Sequence, residues 1–216
     1  MIEIHDRSEL VDFLKTGMSL EGVAIQGVDL REGCELLANR DVQHSFFLGC
    51  RMDRDCMIDL VQRGAHVMEQ IPQIPYIPFR NRLYDPIELF DAFDCGDPCS
   101  YCDCTDAEVY EYWRQHGGAE TQSIIHGLFQ RIHDQCITDA LYEFLEERKE
   151  LKRVAVMGGH SMKRNDPRYR EVAQLSRRLT AMGYLMISGG GPGAMEATHL
   201  GALLVNHPES VLDETI

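Results

Sequence analysis

The 216-residue sequence contains no uncharged apolar run approaching the ~20 residues that cross a bilayer, which excludes a membrane-spanning helix. Its opening, MIEIHDRSEL, has neither the basic head nor the apolar middle of a secretory signal. Basic residues are also in short supply, with Lys+Arg 21 against Asp+Glu 35 and a formal net charge of -14. Proteins that bind nucleic acids or anionic membranes as a class need a basic surface to displace counterions, so neither partner is expected. A phosphate site, if there is one, has to be local. Last, no Gly-Lys-Ser/Thr follows any glycine run, which removes the Walker-type phosphate loop. These absences point to a soluble cytoplasmic protein with no cofactor.

Eight cysteines are present. Cys34, Cys50, Cys56 and Cys136 lie among apolar residues, where free thiols behave as small buried hydrophobes. The cluster CGDPCSYCDC is different. Cys95, Cys99 and Cys102 have the C-x3-C-x2-C spacing of an iron-sulfur ligand set, and with Cys104 they could form a four-thiolate zinc site. No βα series of the kind a radical enzyme needs follows, so reduced thiols in a turn are the expectation and no metal is assigned. His126 and His133, seven apart on one helix, are expected to pack or hydrogen-bond rather than ligate.

Within an N-terminal α/β region, residues 1–118, that also holds a Pro-rich strap and the cysteine cluster, residues 1–70 alternate strand-like runs, GVAIQGVDL and HSFFLGC, with helix-spaced ones, SELVDFLKT and DCMIDLVQRGA, and read as a small α/β layer. Prolines in IPQIPYIPF and YDP make residues 71–88 an irregular strap. Thr105 and Glu108 have capping-box spacing, so a helix should begin there. Residues 119–149 read as a long connecting helix, with apolar positions 125, 128, 129, 132, 136, 137, 141, 144 and 145 along one face. That face suits a domain or subunit contact, and at least a homodimer is expected.

From residue 150 the pattern is strand, glycine turn, helix, twice over. RVAVMGG ends in glycines. Asp166 then serves as N-cap, Pro167 starts a helix with Val172, Leu175, Leu179 and Met182 on its apolar face, and Gly183 stops it. YLMISGGGPGAMEATHLGALL repeats the scheme. The fold class is α/β: a Rossmann-like parallel sheet, incomplete in this chain, after a small α/β region and a long helix.

Glycine turns at the carboxyl edge of a parallel sheet admit a ligand close to the main chain, and the next helix offers unpaired N–H groups to an anion. Gly189, Gly191 and Ala194 fit G-x-G-x-x-A, although the tail NHPESVLDETI supplies no following strand to carry the acid that a dinucleotide site requires. In the earlier turn His160 and Ser161 could contact a phosphate, ribose or base. Arg168 belongs to a basic island with Lys163, Arg164 and Arg170, suited to drawing in a phosphorylated ligand.

Residues 154–202 resemble the first half of the LOG family, the lysine-decarboxylase-like Rossmann proteins, through the two glycine turns and GGGPGAM in particular. The longer bacterial members have an extra N-terminal region that residues 1–149 would match. The resemblance implies a nucleotide pocket lined by Gly158, Gly159, Ser161, Gly189, Gly190, Gly191, Gly193 and Met195. It also implies hydrolysis of the N-glycosidic bond of a nucleoside 5′-monophosphate to free base and ribose 5-phosphate. The family's later Pro-Gly-Gly-x-Gly-Thr-x-x-Glu segment, which carries the catalytic glutamate, is missing from this sequence, and Glu196 matches no catalytic position. The chain is therefore expected to be a fragment lacking the catalytic half, with no assignable catalytic residue. The alternative is a non-catalytic module that holds a phosphorylated ligand.

Overall fold

The computed structural model describes residues 2–70 and 74–216, which divide into two compact units, residues 1–144 and 145–216. The first unit opens with β1 (Ile2–Ile4), α1 (Arg7–Lys15), β2 (Val23–Gln26), β3 (Phe46–Leu48), α2 (Arg54–Gln62) and β4 (His66–Met68). Its four strands lie in chain order and pair parallel, with Ile4 opposite Ile25, Ile25 opposite Phe47 and Phe47 opposite Val67. All four residues of β2 are buried, as expected of an inner strand with both faces covered. Leu10 and Leu14 of α1 and Leu60 of α2 complete a core with Ile25, Leu30 and Phe47. Asp6 caps α1 by accepting from the Glu9 amide.

Cys34 and Cys56 form a disulfide that ties the 3-10 turn Cys34–Leu37 to α2. This corrects the reading of both as free thiols: the fold brings together two positions that the sequence separates by 22 residues. Cys50 and Cys136 are free and buried as expected.

Residues 71–73 of the strap lie outside the described residues. Its remainder is held by Arg80, only 4 % exposed, whose guanidinium binds both oxygens of Glu88 at 2.6 and 2.5 Å and donates to the carbonyls of Arg82 and Leu83. The strap is not wholly irregular, because Asp85 caps a one-turn helix, α3 (Pro86–Leu89), with Pro86 at its first position. The cysteine loop follows as a 3-10 turn, Pro98–Asp103. Then comes α4 (Thr105–Gln115), which starts where expected but without the expected capping box. Asp91 takes both the Thr105 amide and the Thr105 hydroxyl at 2.9 Å, so the threonine is a donor to a distant carboxylate rather than the cap itself.

The long helix α5 spans Ile124–Glu147. Its buried residues are Gly127, Phe129, Cys136 and Ala140, while Ile125, Leu128 and Leu141 of the expected apolar face are exposed. Phe129 packs edge-on against Phe79 of the strap, and Cys136 accepts from the buried Gln26 amide of β2.

In the second unit, β5 (Arg153–Val156) and β6 (Leu185–Ser188) pair parallel, Val154 opposite Met186. Between them runs α6 (Pro167–Ala181), capped by Asp166 as the sequence predicts and ending at Gly183, whose φ is +84°. After β6 come α7 (Ala194–Leu203) and α8 (Glu209–Thr215). The buried side of α6 is Tyr169, Ala173 and Ser176, whereas Leu175 and Met182 are exposed, which shifts the predicted face. The cause is close helix packing. A Cβ on Gly201 of α7 would lie 2.0 Å from the Ala173 carbonyl oxygen, and Ser176 donates to the Thr198 carbonyl at 2.6 Å. Small residues let these two backbones touch, and larger apolar side chains are left outside the contact. Among the described residues no helix is long and apolar enough to cross a membrane.

Candidate functional site: two abutting glycine turns

Beyond β5 the chain turns through Gly158 and Gly159, both left-handed at φ +87° and +69°, and closes with the Met162 amide donating to the Gly159 carbonyl. Beyond β6 it turns through Gly190, at φ +72°, and Gly193, at φ +74°. Both turns follow the carboxyl ends of paired parallel strands, and they touch each other. A Cβ on Gly193 would sit 2.0 Å from the Gly159 oxygen, and one on Gly159 would sit 2.7 Å from the Ala194 Cβ. Only glycine fits at these points of contact. At Gly158 and Gly190 there is open space instead, so these two present bare backbone outward.

Met195 folds back over its own turn. A Cβ on Gly191 would meet Met195 Cε at 2.5 Å, and one on Gly189 would meet its sulfur at 3.3 Å, so this side chain is a floor under the glycines. Ser188 accepts from the Gly190 amide at 3.2 Å and shares a 2.6 Å hydrogen bond with His199. His160 and Ser161 are exposed in the first turn. Gly193, as N-cap, has no side chain to offer the first-turn amides of α7, and none of the described side chains caps that end. Those amides and the positive end of the helix suit an anion.

Among the charged residues, Arg168 pairs with its own N-cap, Nε to Asp166 at 3.0 Å, with its side chain 72 % exposed. Arg168 in turn holds the Asp166 carboxyl down at about 2. Arg164 makes the link between the turns: its Nε donates to Glu196, in the first turn of α7, at 2.8 Å. Beneath them Tyr169 is fully buried beside the Arg164–Glu196 pair, and burial together with the Glu196 charge raises its pKa. The sequence places Arg164 only within the basic island, and Tyr169 was not singled out. The available signal was a Lys-Arg pair directly after the first turn.

The cysteines of the CGDPCSYCDC loop are not gathered. Cys95, Cys99 and Cys102 are exposed, Cys104 is buried, and no three of their sulfurs lie within 4.8 Å of one another. Among the described residues the one group of potential ligands at that spacing is Glu3, His5 and Glu143 in the first unit, where His5 Nε2 lies 3.9 Å from Glu3 and 3.7 Å from Glu143. His133 bonds the Tyr84 hydroxyl at 2.9 Å, and His126 packs edge-on against His116 and Tyr112. Comparison with known protein families, curated proteins and solved structures finds no match to this chain.

Proposed function

We propose that residues 145–216 bind a nucleoside 5′-monophosphate or a similar phosphorylated small molecule on the paired glycine turns. One observation carries the reading: Gly193 abuts Gly159, which sets two bare-backbone turns side by side next to the uncapped start of α7. Backbone amides at a helix start recognise phosphate without a basic surface, and this suits a chain of net charge -14. By its resemblance to LOG-type phosphoribohydrolases, the chemistry of this site in an intact enzyme is hydrolysis of the N-glycosidic bond. Such cleavage proceeds through an oxocarbenium-like state that needs a free carboxylate near the ribose.

The carboxylates around the turns favour the second reading, a binding module without chemistry. Glu196 is engaged by Arg164 and Asp166 by Arg168. Calorimetric titration with AMP, GMP, CMP and UMP, joined to chromatographic assay for released base, separates the two. Phosphate-dependent binding that Gly190→Asp removes and Gly190→Asn retains is expected, because Gly190 faces open space and a carboxylate there repels the phosphate. Binding without base release selects the module, and base release selects the hydrolase. Nucleotide affinity unchanged by Gly190→Asp would defeat both.

A further inference from the structure

Three potential metal ligands in the first unit are brought together from two elements. Glu3 and His5 stand two apart at the carboxyl end of β1, on either side of Ile4, which is buried in the core. The period of two along an extended chain puts the Glu3 and His5 side chains on the side opposite Ile4. Glu143 comes from α5, seven residues after Cys136, which seats this helix against the Gln26 amide of β2. Positions seven apart share one helix face, so the contact that docks α5 on the sheet also carries Glu143 to His5. The His5 backbone is held at both ends, its amide donating to Glu9 at 2.8 Å and its carbonyl accepting from Asn81 at 3.4 Å.

The spacing of the three groups differs from that of an ion-paired histidine. His5 Nε2 lies 3.7 Å from a Glu143 oxygen and 3.9 Å from a Glu3 oxygen, whereas a charge-assisted N–H···O bond closes to about 2.7–2.9 Å. Ligands held by one tetrahedral ion at about 2.1 Å stand about 3.4 Å apart, so shifts of a few tenths of an ångström bring these atoms onto it. All three ligand atoms lie within 4.8 Å of one another. His5 Nδ1 is inaccessible, which leaves Nε2 as the nitrogen offered to a ligand. Neither Glu3 nor Glu143 has a Lys or Arg partner among the described residues. Asp139, one turn before Glu143, adds to the negative charge felt by Glu3, and the open groove that reaches the three groups has no Lys or Arg in its lining. Carboxylates gathered without a permanent counter-charge repel one another, and a bound cation relieves that repulsion.

We propose that Glu3, His5 and Glu143 hold one divalent transition-metal ion of the Zn²⁺ class. The imidazole disfavours Mg²⁺ and Ca²⁺, which take oxygen ligands, and a set without thiolate disfavours soft ions such as Cu⁺. Three protein ligands with a position left open to the groove make a site that keeps water on its metal. The ion ties β1 to α5, so its binding stabilises the fold. The inference shares no residue with the glycine-turn reading and does not depend on it.

The exposed thiols of Cys95, Cys99 and Cys102 can bind Zn²⁺ themselves, so the test uses the full chain with all three replaced by serine and stripped of metal by a chelator. Titration with Zn²⁺, followed by heat and by equilibrium dialysis with metal analysis, is expected to show one equivalent bound saturably and a raised Tm. Co²⁺ in its place should give the visible d–d bands of a four-coordinate site with nitrogen and oxygen ligands, without thiolate charge-transfer bands. Loss of a group that merely supports a ligand costs about 10–100-fold in metal affinity, so Glu143→Gln and His5→Ala should each weaken Zn²⁺ at least about tenfold and remove most of the Tm rise. Excess Mg²⁺ should not compete. The proposal is overturned if the serine-substituted chain binds no Zn²⁺ saturably, if Glu143→Gln and His5→Ala both fold and bind Zn²⁺ as that chain does, or if Mg²⁺ competes on equal terms. Should His5→Ala fail to fold, Glu143→Gln decides alone, because the Glu143 side chain is half exposed and its replacement leaves the core intact.

Discussion

Gly193 meets Gly159 backbone to backbone, close enough that a single Cβ on Gly193 would lie 2.0 Å from the Gly159 oxygen. Residues 34 apart in sequence therefore share one surface, and the two turns are set as a pair rather than independently. Gly193→Ala places a side chain into backbone and into a left-handed φ, for an expected loss of at least about 3 kcal/mol from the second unit. Gly190→Ala carries only the left-handed strain into open space, about 1 kcal/mol. Urea unfolding followed by far-ultraviolet circular dichroism distinguishes them, and equal losses would contradict the abutment.

The eight cysteines divide into three classes that a thiol reagent can count. Cys95, Cys99 and Cys102 are exposed and should react at once; Cys50, Cys104 and Cys136 are buried and should react only on unfolding; Cys34 and Cys56 should react only after reduction. Burial pushes the Cys50 thiol up to about 11, which slows it further because the thiolate is the reactive form. Closing the loop between Cys34 and Cys56 restricts the unfolded chain, so Cys34→Ser with Cys56→Ser should lower stability by roughly 3 kcal/mol. Eight rather than six reactive thiols in the protein unfolded without reductant would mean that the disulfide does not form.

The elements that were legible in the sequence are those whose signals are local. Asp166-Pro167 starts α6 and Gly183 ends it, because cap, φ constraint and left-handed stop all act within one turn. The parallel pairing of β5 with β6 follows from strand-helix-strand order. Long-range features were not legible. Thr105 is held by Asp91, fourteen residues earlier, a competitor that the capping-box spacing cannot register. Hydrophobic periodicity placed Leu175 and Met182 inward, yet α6 packs through Ala173 and Ser176 against Gly201, and small-residue contacts carry almost no hydropathy signal. At the glycine turns the backbone was readable, while the Arg164–Glu196 link depends on how the turns are brought together.

The Asp91–Thr105 contact makes its own prediction. Asp91 fixes the start of α4, and the two Thr105 bonds hold its carboxyl below the ordinary carboxylate range. Asp91→Ala leaves the helix start without that acceptor and should lower stability, as the loss of a cap does. Glu108→Ala should change stability much less, since the Glu108 amide already bonds the Cys104 carbonyl and the carboxylate makes no capping bond. Thermal melting of the two variants decides between the distal carboxylate and a local capping box.

The strap depends on Arg80, and its bond to Glu88 makes it sensitive to acid. The side-chain hydrogen bonds from Arg80 lower the Glu88 pKa below its ordinary value of 4.5. For a carboxylate depressed in the folded state, the stabilisation is complete above that ordinary value. It is lost as the pH falls from there through the depressed pKa. Glu88→Gln should therefore be less stable than the parent at neutral pH, and the gap should close in acid, where the parent's carboxylate is protonated too. Arg80→Met removes the partner of Glu88 and the donor to the Arg82 and Leu83 carbonyls together, so about 3 kcal/mol should be lost at neutral pH. Arg80→Lys should recover only part of it, because an ammonium cannot span both Glu88 oxygens and two carbonyls in one plane. Chemical unfolding of the three variants and the parent across this pH range gives the comparison. A Glu88→Gln deficit that stays constant with pH would show that the ion pair contributes through packing alone.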